Sequence, residues 1–224
     1  NHDYLTESEQ RLTLPFPANV YEFNADVQTH TIETKNNQRV AISGFSYDSQ
    51  WIFERKITEY PNRANPVDLH IGLLHGSADG QNATEANYAP FTVAELQEKN
   101  YDYWALGHIH QRQQLAPNIH YPGDKGCLLV EWDNHGPKTH FIPTAPMIWQ
   151  QLTVNISSVH TIAELFEALH GEMKPLGEHQ ESLVHLTLTS DDDYNDELIA
   201  LIQEPQFNEQ LTQQLNQPNI WIVA

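Results

Sequence analysis

The sequence predicts a layered α/β protein, and three observations carry that expectation. Apolar runs of strand length recur at Leu69-His70-Ile71-Gly72-Leu73-Leu74, Tyr103-Trp104-Ala105-Leu106 and Cys127-Leu128-Leu129-Val130. A helix-like pattern with its own start signal, Thr92 followed by Val93 to Lys99, stands between the first two runs. Those same two runs end in histidine beside glycine, at His75-Gly76 and Gly107-His108. Strand, helix and strand in alternation stack most readily as sheet covered by helix.

In chain order, Val20 to Phe23, Val27 to Glu33 and Arg39 to Phe45 have the composition of short strands, separated by turns such as Lys35-Asn36-Asn37. Trp51 to Tyr60 is expected to be a helix stopped by Pro61. After the strand that ends at His75, a polar loop from Asp79 to Asn87 leads to Pro90-Phe91-Thr92. There the Thr92 hydroxyl can cap the helix, with Glu95 in its first turn. Further strands are expected near residues 118–121, 126–133 and 138–142. Pro143 and Pro146 mark a boundary. Beyond it the pattern predicts a strand at 148–156, helices at 161–170, 194–203 and 207–215, a strand at 182–189 and a terminal strand Ile220–Val223. The expected domains are therefore residues 1–145 and 146–224.

A chain of 224 residues with five tryptophans can bury a sizeable core. No apolar run approaches a membrane span, so no membrane partner is expected. The single cysteine, Cys127, cannot form an intrachain disulfide, reads as a buried small hydrophobe and fits a reducing cytoplasm. Thirty acidic against eleven basic residues leave a formal charge of −19. That charge opposes tight binding of nucleic acid, whose affinity rests on Lys and Arg neutralising phosphates. A partner or a further segment would have to supply positive surface. The tryptophans are read as core, and His30, His70, His120, His140 and His185 as structural.

The most informative stretch is Gly107-His108-Ile109-His110. In extended backbone, side chains at i and i+2 point the same way, so His108 and His110 would project together while Ile109 packs. Neutral imidazole is a common ligand for transition ions, and glycine removes a Cβ where backbone must turn or approach a ligand. Taken alone, the pair reads more readily as solvent-facing loop histidines. His75-Gly76-Ser77, just past a strand, and the opening Asn1-His2-Asp3 are what change the balance.

Together these stretches resemble three motifs of the calcineurin-like metallophosphoesterases: an N-H-[DE] turn, a lone histidine after a strand, and G-H-x-H. Within that superfamily, residues 101–112 and Tyr121-Pro122-Gly123 are similar to the SbcD/YhaO-type DNA repair exonucleases. The resemblance implies the later portion of a four-layer metallophosphoesterase sandwich over residues 1–145, followed by a small α/β cap over 146–224. It implies two divalent metal ions, most consistent with Mn2+, with Fe, Zn or Mg as alternatives. Asn1, His75 and His108 would be ligands of one ion and His110 of the other. His2 would be the catalytic group beside the scissile phosphate, oriented by Asp3. Tyr88 and Arg112 stand beside the motif histidines in sequence and read equally as substrate contacts or as ordinary packing and a solvated charge. The implied activity is hydrolysis of phosphodiester bonds in DNA, with DNA and a coiled-coil SMC-like ATPase subunit as partners, and homodimerisation as an open alternative.

The family's D-x-H and G-D-x-x-D motifs do not occur in this sequence. The expectation is that these residues are the later part of a longer protein, inactive by themselves, and that the family's polar loop is either missing between Gly123 and Asp124 or short there. Two other readings stand beside the nuclease. One is a general phosphatase of small phosphate esters; the other is a degenerate scaffold that holds a partner ATPase.

Overall fold

The computed structural model describes Tyr4 and residues 16–79, 87–176, 181–191, 196–215 and 219–223. Two compact units emerge, Asn1–Pro143 and Thr144–Ala224. Each is a mixed α/β body with few helices.

The first unit is built on a six-stranded sheet in the order β1-β2-β3-β4-β6-β5. Its strands are β1 (Gln28–Glu33), β2 (Arg39–Gly44), β3 (Leu69–His75), β4 (Tyr103–Gly107), β5 (Gln113–Ala116) and β6 (Ile119–Tyr121). The four central strands run parallel, and the outer pairs β1–β2 and β5–β6 are antiparallel. Parallel strands demand connections that cross over the sheet. Between β3 and β4 the crossover contains α1 (Val93–Glu98), which starts as the sequence predicts. The Thr92 side chain accepts from the Glu95 backbone N–H, and the Glu95 carboxylate accepts from the Thr92 N–H. Arg55 also pairs with that carboxylate and holds it down at about 2, below the usual range for glutamate. The same guanidinium reaches Asp79 at 2.8 Å and so ties two loops to one helix start.

Trp104 on β4 anchors the core beneath the sheet. It is fully buried, lies flat against Tyr101 with centroids 4.7 Å apart, and donates its indole N–H to the Leu96 carbonyl at 3.2 Å. The indole needs the room left by Gly72 on the neighbouring strand, where a Cβ would come within 2.2 Å of the ring. His70 on β3 is buried as expected. Its Nδ1 accepts from the Ala64 N–H at 2.9 Å, which leaves Nε2 to donate to the Ser43 hydroxyl at 2.8 Å. Burial lowers the pKa of His70, as does the Arg63 charge, with Asp102 opposing; burial alone lowers that of His120.

Those two histidines give an expected pH dependence. Below the ordinary histidine value of 6.5 the unfolded chain takes up protons that the folded chain refuses. Stability therefore falls as pH drops from 6.5 toward the lowered folded-state values. Thermal melts at pH 7.5 and 5.5 should show the loss, and His70→Gln should flatten the slope. An unchanged slope in that variant would rule out His70 as a source.

This unit also holds a separate hairpin, β7 (Gly126–Asp133) with β8 (Gly136–Pro143). One face packs and the other is wet, so Cys127, expected in the core, is exposed. The residues at 51–60 also depart from expectation, forming only a 3-10 turn at Lys56–Glu59. The Ile52 carbonyl accepts from the Ala89 N–H at 2.7 Å, a partner outside the segment, and so is not free to start a helix. Val20 to Phe23 is not a strand. Its aromatic side chains pack instead on His30 of β1, Phe23 at 4.9 Å and Tyr21 at 5.4 Å.

The second unit holds a three-stranded parallel sheet in the order β11-β10-β9. It comprises β9 (Met147–Asn155), α2 (Ile162–Met173), β10 (Glu181–Thr189), α3 (Asp196–Ile202), α4 (Pro205–Leu215) and β11 (Ile220–Val223). Thr161 caps α2 by accepting from the Glu164 N–H. Val154, Val184, Ile220 and Ile222 on one sheet face pack with Leu165, Leu169, Phe207 and Leu211 into a closed core. On the opposite face the register places Trp149, Leu183 and Trp221 in one row, and both indoles are exposed. Trp51 and Trp132 are exposed as well, so of the five tryptophans expected in the core only Trp104 lies there. No helix among the described residues is long and apolar enough to cross a membrane.

Candidate functional site

The central parallel pair β3 and β4 ends in register, His75 opposite Gly107. Open α/β sheets bind their ligands outside the carboxyl ends of the strands, which is where this pair stops. Beyond Gly107 the chain turns sharply, since His108 has φ of +96°, in the region that side chains rarely adopt. Strain of this kind persists only where the surroundings hold it. The turn also alters the expected geometry, because the extended backbone that would aim His108 and His110 the same way stops one residue too soon. His108 instead swings toward β3, bringing its ring 5.2 Å from that of His75. His110 is exposed.

Gly107 makes this approach possible. A Cβ there would stand 2.9 Å from the His75 Nδ1. Around the two imidazoles lies an aromatic wall. Tyr88 stacks on His108 at 5.3 Å and meets His75 edge-on at 5.5 Å, while Tyr47 lies 5.5 Å from His75. Tyr88, one candidate substrate contact, is fully buried and supports the histidine rings instead. Burial pushes its hydroxyl well above the usual tyrosine range, with Tyr47 and Asp48 adding to the shift.

Tyr88 is held by backbone. Its carbonyl accepts from the Ser77 N–H at 2.8 Å, and the Phe91 N–H donates to the Ser77 carbonyl at 3.1 Å. Gly76 lets this segment lie close, since a Cβ there would meet the Ala89 carbonyl at 2.5 Å. From the other side, the buried Tyr121 hydroxyl donates to the Gly76 carbonyl at 2.6 Å. Two residues later Gly123, with φ of +74°, folds over residues 110–112, and the Asp124 N–H donates to the His110 carbonyl at 2.9 Å. The Tyr121-Pro122-Gly123 turn thus braces both histidine loops.

Of the residues singled out from sequence, the structure brings His75, His108 and Tyr88 into one cluster. Asn1, His2 and Asp3 lie outside the described residues. Arg112 is exposed and sits over the Phe141 ring at 4.2 Å. Sequence reasoning missed Tyr47, which comes from a stretch without periodicity, and the bracing role of Tyr121. For Tyr121 the signal was present in the Tyr-Pro-Gly turn itself.

Among the described residues, no three or more His, Cys, Asp or Glu side chains gather as a metal-holding group. His75 and His108 fit such an ion as a pair of imidazole donors, and the missing Cβ at Gly107 is what admits them. A site with imidazole donors suits Mn, Fe or Zn better than Mg.

Fold and site therefore define a mixed α/β protein with a histidine pair at the carboxyl ends of its central parallel strands. No family model matches the chain. It is 31% identical over 191 residues to an uncharacterized metallophosphoesterase, YhaO, of Bacillus subtilis (strain 168), covering 79% of this chain and 46% of that protein. The chain spans about half the length of the curated relative it matches. This similarity supports the metallophosphoesterase superfamily for the chain.

Proposed function

We propose that the intact protein is a metal-dependent phosphodiesterase that hydrolyses DNA. The observation that supports this reading best is the pairing of His75 with His108 at the ends of adjacent parallel strands, across a glycine that admits the ring. In this reading the first unit is the later portion of a metallophosphoesterase sandwich and the second a small cap. A coiled-coil ATPase of the SMC type is the proposed partner, and a cytoplasmic setting follows from that role. Such a partner would also answer the charge of −19, which leaves this chain a poor holder of DNA by itself.

His75, His108 and Asn1 would hold one divalent ion and His110 would contribute to a second, with manganese the favoured metal. When bound, such a pair supplies Lewis-acid polarisation of the phosphoryl oxygen and an activated water. The chain's own residues do the rest. Gly107 and the Tyr88 ring fix the imidazoles before substrate arrives, which lowers the cost of ordering them during reaction. His2 would stand beside the scissile phosphate and protonate the leaving oxygen, with Asp3 setting its orientation.

The deciding experiment compares manganese-dependent hydrolysis of linear DNA and of p-nitrophenyl phosphate esters by the intact protein. DNA cleavage should predominate and fall at least about a hundredfold in His75→Ala and His108→Ala, the upper end of what outer-shell changes alone cost. Selective action on the small esters would replace the nuclease by a general phosphatase. Undiminished cleavage in both variants would remove the histidine pair from the chemistry.

A further inference from the structure

The basic residues of the first unit differ in what they face. Arg55, Lys56, Arg63 and Lys125 each face a carboxylate within 3.0 Å. Arg112 pairs with no carboxylate among the described residues and lies instead over the Phe141 ring. A guanidinium resting over an aromatic face can still offer N–H groups, and its fork suits bidentate binding of an oxyanion.

The guanidinium lines a cavity of about 300 Å³ between the β5–β6 edge of the sheet and the β7–β8 hairpin. Its other polar walls include Gln113, Gln114, Thr139 and His120. His120 is only 5% exposed and stacks on Tyr103, with ring centroids 5.5 Å apart. Its Nδ1 is buried and meets no hydrogen-bond partner among the described residues. Tyr121 connects the cavity to the candidate site, because it lines the cavity and donates to the carbonyl of Gly76, next to His75.

We propose that this cavity is a phosphate-binding subsite, in which Arg112, Gln114 and Thr139 hold the phosphoryl group of a nucleotide next to the one being cleaved. Placing it on the cleavage path rests on the phosphodiesterase reading; the binding of phosphate itself does not. Phe141 sets the guanidinium in place, and the buried His120 ring closes the wall beside it. In a chain of net charge −19, one uncompensated cation in a pocket is where a phosphate would be held.

The test is equilibrium binding of 5′-dAMP to the protein in excess EDTA, where no metal centre can recruit phosphate. The wild type should bind, inorganic phosphate should compete, and adenosine should not. Arg112→Gln should weaken binding at least tenfold, Thr139→Val less, and Arg112→Lys should recover part of the loss. His75→Ala should bind as the wild type does. Arg112 is exposed, so the variant should fold, and a thermal melt verifies that. Equal binding by Arg112→Gln, absence of binding by the wild type, or competition by adenosine rather than phosphate would each overturn the subsite. A protein that cleaves nothing but still loses dAMP binding on Arg112→Gln refutes the phosphodiesterase reading alone.

Discussion

Gly107→Ala is expected to abolish most metal-dependent activity of the intact protein while leaving the chain folded. The added methyl would stand 2.9 Å from the His75 Nδ1, closer than real contacts allow. Backbone at residue 107 is fixed by the β3–β4 register, so the imidazole must yield. It has little freedom to do so, because His108, Tyr88 and Tyr47 crowd its other sides. Displacement of about 1 Å in a positioned group costs on the order of a hundredfold in rate. Such overpacking at the surface end of a strand costs only about 1–3 kcal/mol of stability. The measurement is turnover and metal affinity set beside a melting curve. A variant with full turnover would show that the close approach of His75 to Gly107 has no bearing on the chemistry.

Trp104→Ala should be the most damaging single change in the first unit. The indole is fully buried, stacks on Tyr101, lies 5.2 Å from Tyr60 and fills the space that Gly72 vacates. Truncations of this size cost about 3–5 kcal/mol, a large share of the roughly 5–15 kcal/mol that holds a domain folded. Because the second unit has its own closed core, urea unfolding should split into two steps, with only the first moved to lower denaturant. A shift of both steps together would show that the two cores unfold as one. A negligible shift would contradict the central place of Trp104.

Much of the architecture was legible because it rests on local chemistry. The apolar runs before His75 and after Asp102 became adjacent strands, and Thr92 with Glu95 formed the capping box their spacing implies. What escaped depends on distant partners. Residues 51–60 have a helical composition, yet Ala89 engages the Ile52 carbonyl and Glu95 draws away Arg55. No pattern within the segment announces either event. β5 was overlooked because Gln113-Gln114 is polar, as befits an edge strand, and its register slips between Gln114 and Ala116. At the site, glycine beside histidine marked the two strand ends. The left-handed turn at His108 left no trace in the sequence, and it decides that His108 meets His75.

The one-sided sheet of the second unit has an optical corollary. With Trp149 and Trp221 on its bare face, and Trp51 and Trp132 exposed elsewhere, most of the protein's indole fluorescence should come from water-bathed rings. The native emission would then be red-shifted and open to a soluble quencher, with a single shielded component from Trp104. Anything that settles on that bare face would announce itself as a blue shift, without a label.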